Sequence, residues 1–201
     1  MTLLPLPAGV RRFALDRLPA EPWRNGAGWT RTVAVHERGG DVDWRVSAAD
    51  ITHAGPFSRF DGMDRTAVLI QGPRLQLEGS GQRLVFEAPG HLQRFSGEQE
   101  LHAVAPEQPA RLWNVMARRG QAEARVEVHR AGTLVLAAGD TSVLLVFHGQ
   151  YQLCAGGDAL LQLEAGEGLY VENTRRALEL HPAYPSSSLV HTRFRIGSPH
   201  A

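Results

Sequence analysis

The chain has 201 residues, 43% of them hydrophobic, and 21 basic and 21 acidic side chains that cancel to a formal net charge of zero. That balance fits one large or two small folded domains and excludes disorder as the main state. It leaves no basic footprint for a nucleic-acid backbone or an anionic membrane surface, so neither is an expected partner. The apolar runs fall short of the roughly 18 to 20 residues of a membrane helix, and the opening MTLLPLPAGVRRF lacks the charged-then-apolar order of a signal peptide. With one cysteine, Cys154, and no internal disulfide, the expected compartment is the cytoplasm. All 21 basic residues are arginine, which excludes Schiff-base chemistry on a lysine.

Glycines and prolines cut the chain into short segments of alternating apolar and polar residues, the period of β-structure. In chain order the spacing predicts strands at Thr30–His36, Asp43–Ile51, Arg65–Gln71, Arg74–Glu78, Arg83–Glu87 and Arg111–Ala117. Further strands are predicted at Thr133–Ala138, Ser142–His148, Gln150–Cys154, Ala159–Glu164, Leu169–Glu172 and Leu189–Ile196. No segment sustains a 3.6-residue period over three turns, so any helix is expected to be short.

Laid over itself without a gap, with Val68 on Leu145, the sequence matches its own second half. Val68–Gly72 falls on Leu145–Gly149, Leu84–Ala88 on Leu161–Ala165, and Leu112–Asn114 on Leu189–His191. Glycines meet glycines where turns need positive φ, and apolar residues meet apolar residues where strands need an inward face. The order of strand, hairpin, strand and turn in each copy resembles the cupin barrel. The expected fold is therefore all-β, a bicupin of two tandem barrels with an N-terminal strand extension. The polar run Arg118–Glu123 reads as a linker between a first domain at residues 1–119, which includes the extra strands, and a second at 120–201.

Metal-dependent cupins carry two histidines one residue apart, because alternate strand residues face one lumen. None of the nine histidines here lies within two positions of another, so no built-in metal or other cofactor is expected. The hydrolase elbow, phosphate loop and dinucleotide fingerprint are also missing. Cys154, at a strand end with no neighbouring histidine, reads as a small buried hydrophobe.

Three stretches stand out: Pro22–Thr30 (PWRNGAGWT), Asp43–Asp50 (DWRVSAAD) and Gly55–Arg65 (GPFSRFDGMDR), joined by Trp113–Arg119 (WNVMARR). Together these motifs resemble the HutD/Ves family, bicupin proteins associated with histidine utilisation. The chain departs from the family's first motif twice, with Ala27 for the middle glycine and Thr32 for a glutamate. A role of that glutamate as proton acceptor, ligand or arginine partner does not carry over to Thr32.

Alternation along Trp44–Ala49 turns Arg45 and Ser47 to one face, where a planar guanidinium beside a hydroxyl suits a carboxylate. The bland alternative makes that face the wet side of a sheet. Asn25 reads as a turn residue and as an amide donor, and Ser58 and Arg65 are candidates for the same cavity. Thr30 and Asn114, from the first and fourth motifs, complete the candidate set. Phe57 and Phe60 read as core, and Trp23 and Trp29 as either a cover or an anchor of the N-terminal segment.

The resemblance implies a non-enzymatic binder of an acidic metabolite, formylated or formimino-glutamate or urocanate, with a regulatory role in histidine utilisation. The enzymatic alternative is metal-independent isomerisation or hydrolysis in the same cavity, with Asp50 or His53 as base. A third reading is a structural or stress protein whose cavity is filled by side chains. Long strand edges point to homodimerisation.

Overall fold

The computed structural model describes residues 5–23 and 26–197 and contains, among them, nineteen strands and one short 3₁₀ turn at Leu15–Arg17. The described residues form two compact units: those between 18 and 124 make up most of the first, and 5–17 together with 125–195 the second.

The first unit carries β2 (Glu21–Pro22), β3 (Gly28–Arg38), β4 (Asp41–Ile51), β5 (Gly55–Pro56), β6 (Met63–Gln71), β7 (Leu75–Gly79), β8 (Gln82–Phe86), β9 (Leu92–Ser96), β10 (His102–Ala103) and β11 (Ala110–Arg118). They form a six-stranded sheet in the order β2-β3-β4-β11-β6-β9 and a four-stranded sheet in the order β5-β10-β7-β8. Residues from both sheets, among them Ile51, Leu69, Leu77, Phe86 and Leu112, close into one buried core, as in a barrel or sandwich.

The second unit carries β1 (Val10–Ala14), β12 (Ala122–Arg130), β13 (Leu134–Leu136), β14 (Thr141–His148), β15 (Gln150–Ala155), β16 (Asp158–Glu164), β17 (Glu167–Val171), β18 (Leu178–Pro182) and β19 (Ser188–Ile196). Its sheets run β12-β19-β14-β17-β1 and β13-β18-β15-β16. Their core includes Leu144, Tyr151, Leu163, Leu169 and Leu189. Stripped of β2 and β3 in one unit and β1 in the other, the two strand orders are the same.

The internal repeat extends to hydrogen-bond register. Leu112 pairs with Leu69 across β11 and β6, and their counterparts in the second copy, Leu189 and Val146, pair across β19 and β14. Both pairings are interrupted by a bulge at the same place, beside Arg111 in one and before His148 in the other. Gly72 and Gly149 follow those strands at φ of +101° and +70°. A Cβ on Gly72 would lie 3.0 Å from Ala110 Cα, and one on Gly149 2.9 Å from Ser187 Cα, so turn and close approach both demand glycine.

The N-terminal residues add strands to both units. β1 pairs with β17, residue by residue from Val10 opposite Val171 to Ala14 opposite Glu167, so this strand belongs to the second unit's sheet and not to the first. The run around Arg118–Glu123 is a tight turn, with Gln121 N–H donating to Arg118 O at 3.1 Å and Gly120 at φ +75°. Strand β12 begins at Ala122 directly after it. Ala27 is buried and does not adopt a positive φ; Gly26, at +71°, makes the left-handed turn. An alanine is therefore accommodated at this position without backbone strain.

Candidate functional site

Strand alternation and register build one surface inside the first unit. Arg45 of β4 lies opposite Met116 of β11, and Met116 lies opposite Arg65 of β6. The two arginines thus flank a methionine across three neighbouring strands, roughly 10 Å apart by the usual strand spacing. In the next row Thr32, Ser47 and Asn114 face one another across β3, β4 and β11. Ser47 and Ala49, which share the face of Arg45, are buried, as are Trp44, Val46 and Ala48 on the opposite face, so the Arg45 face is not the open, wet side of a sheet.

These residues line a cavity of about 600 Å³, whose walls include Thr30, Arg45, Ser47, Ser58, Arg65 and Asn114. Six of the seven residues singled out from sequence are thereby brought together. The seventh, Asn25, lies outside the described residues. Trp23, Phe57, Phe60 and Met116 supply apolar wall, so Phe57 is both core and lining. Trp23 packs edge-on to Phe57 at 5.4 Å and donates its indole N–H to Thr30 Oγ1 at 2.7 Å. Trp29 is exposed and does not reach the cavity wall.

Arg65 is the most constrained group. It is 6% exposed, and its guanidinium carbon sits 4.9 Å from the Phe95 ring centre, 5.3 Å from Phe60 and 5.6 Å from Phe57. Its Nη1 donates to Ser58 O at 2.9 Å and its Nη2 to Asn114 Oδ1 at 3.5 Å, while Nε is buried without a hydrogen-bond partner. The aromatic faces attract the cation by their quadrupoles, but a neutral cage does not replace water. Burial accordingly pushes its pKa down to about 10. Arg45 is half-buried and donates to Thr32 Oγ1 at 2.6 Å. Thr32 supplies an acceptor but no charge. Among the described residues, neither arginine has a carboxylate within ion-pair distance.

The proposed bases are elsewhere. Asp50 projects from the other face of β4 and is gripped by both Arg31 and Arg111. His53 is exposed, with Nδ1 2.9 Å from Thr52 Oγ1. Among the described residues, the charged ones on the cavity wall are Arg45, Arg59, Arg65 and the exposed Glu21. Arg59 is already paired with Glu100 at 2.7 Å.

A second cluster, in the other unit, escaped the reading of sequence. Glu127 and His129 of β12 and His191 of β19 have potential ligand atoms that all lie within 4.8 Å of one another. In the internal repeat His191 is the counterpart of Asn114, and Ser142, the counterpart of Arg65, lies with its Oγ 3.0 Å from His191 Nε2. Burial and the neighbouring His129 push the His191 pKa down to about 4, and burial lowers that of His129 as well. The signal was present as the strict alternation AEARVEVHR over 122–130, with a glutamate and a histidine two positions apart. It was hidden because no second histidine lies at that spacing.

An all-β chain with two such barrels, one opening on an arginine-lined cavity, is a bicupin. Similar solved structures include a conserved protein of unknown function from Pseudomonas aeruginosa PAO1, with a TM-score of 0.80 at 24% identity, covering 94% of this chain and 99% of that one. The HutD of Pseudomonas fluorescens SBW25 gives 0.76 at 21%, covering 92% and 99%, and a cupin 2 conserved barrel domain protein from Leptotrichia buccalis gives 0.60 at 8%, covering 96% and 99%. The Ves proteins of Escherichia fergusonii and Citrobacter koseri are 34% and 33% identical, over 79% and 77% of this chain and 82% and 80% of theirs. The HutD family model matches residues 16–186, and the chain belongs to that family.

Proposed function

We propose that the first unit binds a small carboxylate-bearing metabolite without transforming it. The observation that carries this reading is the buried Arg65 guanidinium, which borders the cavity with an orphaned Nε and no acidic partner among the described residues. Holding a guanidinium out of water beside neutral groups costs several kcal/mol in general, and an anionic ligand offsets that cost by replacing the missing counter-charge. Arg45, one strand beyond Met116, supplies a second positive group for a second carboxylate or an extended acid. Ser47 and Asn114 offer polar contacts between the arginines. A proton-transfer mechanism needs a base within reach, and among the described residues the cavity wall offers one carboxylate, the exposed Glu21.

Family membership directs the choice of ligand to the acids of histidine breakdown, formylated or formimino-glutamate and urocanate, and the role to regulation of that pathway. The related HutD of Pseudomonas fluorescens was solved in a formate condition, and formate, the smallest carboxylate, completes the panel of probes. The test is calorimetric titration of formate, N-formylglutamate, formiminoglutamate and urocanate into wild type and Arg45→Ala, with chromatography of the mixtures for product. Binding of a probe unchanged in structure, weakened roughly 10- to 30-fold in Arg45→Ala, is the expected result for loss of one half-buried charge-assisted pair. Absence of heat with all four probes, equal affinity in Arg45→Ala, or turnover would overturn the proposal.

A further inference from the structure

The geometry points to a divalent transition-metal site in the second unit, formed by Glu127, His129 and His191. Two imidazoles and one carboxylate are the donor set that first-row divalent ions of the zinc, cobalt, nickel and iron group accept, and three protein donors leave positions open for water or an oxygen ligand. The three ligand atoms lie within 4.8 Å of one another. Bonds of about 2.0 to 2.2 Å require donor separations of roughly 3 to 3.5 Å, a closure that side-chain rotation provides.

Four further observations favour an ion over a self-sufficient polar cluster. His129 Nε2 is buried with no hydrogen-bond partner, an arrangement that native interiors rarely leave standing. The His129 and His191 rings lie 5.9 Å apart at an interplanar angle of 50°, side by side without a hydrogen bond between them. Ser142 Oγ, at 3.0 Å, fixes the His191 ring, the kind of orienting contact that metal-binding imidazoles use. Among the described residues Glu127 accepts from Arg125 through Oε1, at 2.7 Å, and no donor faces its Oε2.

Position in the fold adds to the case. Strand β12 borders β19 as β4 borders β11, and His191 and Ser142 repeat the places of Asn114 and Arg65. The same place in the duplicated barrel thus carries Arg65 and Asn114 in one copy and Ser142 and His191 in the other, where the neighbouring strand β12 adds Glu127 and His129. Arg125 and Arg193, nearby positive groups, oppose a cation, so the expected affinity is lower than that of a closed structural site.

The experiment uses the untagged full chain stripped with a chelator and then dialysed against Co²⁺ or Zn²⁺. Wild type should retain one ion per chain, show the visible bands of protein-bound Co²⁺, and melt several degrees higher with Zn²⁺. Glu127→Gln and His129→Gln, both at half-exposed positions, should keep the metal-free melting temperature and weaken uptake at least 10-fold, while His102→Gln at an exposed site binds as wild type does. Retention of less than half an ion by wild type, or uptake undiminished in either folded variant, overturns the site. Should one variant fail to fold, the other decides. Because the arginine cavity is not involved, failure here leaves the carboxylate reading intact, and the reverse holds as well.

Discussion

The two barrels share strand order, central register and bulge, yet they differ where the strands bear polar side chains. In the first, Arg65 and Asn114 occupy positions that Ser142 and His191 hold in the second. One set keeps a positive charge that burial has stripped of water; the other keeps imidazoles that burial holds neutral. The apolar inward positions that define the barrel tolerate only other apolar residues of similar volume, whereas the polar row near them does not hold the fold together and is free to diverge.

The sharpest way to break this comparison is Arg65→Met, which fills the aromatic cage with an apolar chain of similar reach. The expected loss of carboxylate binding is about 100-fold or more, as for removal of a buried charged partner, with the fold retained or stabilised because the desolvation cost disappears. Calorimetry with whichever acid binds wild type checks the first part and thermal melting the second. Unchanged affinity would reduce Arg65 to a structural residue.

Acid distinguishes the two units next. His191 titrates near pH 6.5 in the unfolded chain and about 4 in the folded one, so between these values the unfolded state holds the extra proton. Stability is therefore full above about pH 6.5 and falls as the pH drops, by up to roughly 3 kcal/mol near pH 4. Arg65 stays protonated in both states over that range and contributes no slope. Melting curves of metal-free wild type and His191→Asn from pH 7.5 to 4 provide the check. Parallel curves would show that His191 is not the buried neutral group described above.

A smaller effect tests equivalence itself. Gly72→Ala and Gly149→Ala each place a methyl in a left-handed turn about 3 Å from the equivalent strand, and each should cost about 2 kcal/mol. Urea titrations that find one substitution costly and the other neutral would show that the two turns have lost their common role. The smallest effect belongs to Ala27→Gly, at a position whose backbone does not need glycine. Chain entropy alone predicts a loss of about 0.5 to 1 kcal/mol, and a gain in the same titration would contradict the backbone described here.

Much of the barrel is legible in the sequence. Strands such as Ser142–His148 announce themselves because inward and outward positions alternate in polarity, and the internal repeat shows because a duplicated barrel keeps its inward face and its turn glycines. β1, β9, β12 and β18 are not among the predicted strands. Arg94 breaks the alternation of β9, and β12 alternates cleanly but follows directly on the polar run Arg118–Glu123, and its other face is charged or polar throughout.

What the sequence by itself determined was therefore the fold class, the family and one strand's worth of co-oriented candidates, all consequences of local period and of motifs carried on contiguous residues. Only the tertiary structure decided that Arg45 and Arg65 flank Met116, that Asp50 is consumed by Arg31 and Arg111 on the far face, and that Glu127, His129 and His191 meet. Those relations depend on which strands pair and in what register. Register is set by the sum of many apolar contacts along each strand, so no single residue in the sequence records it.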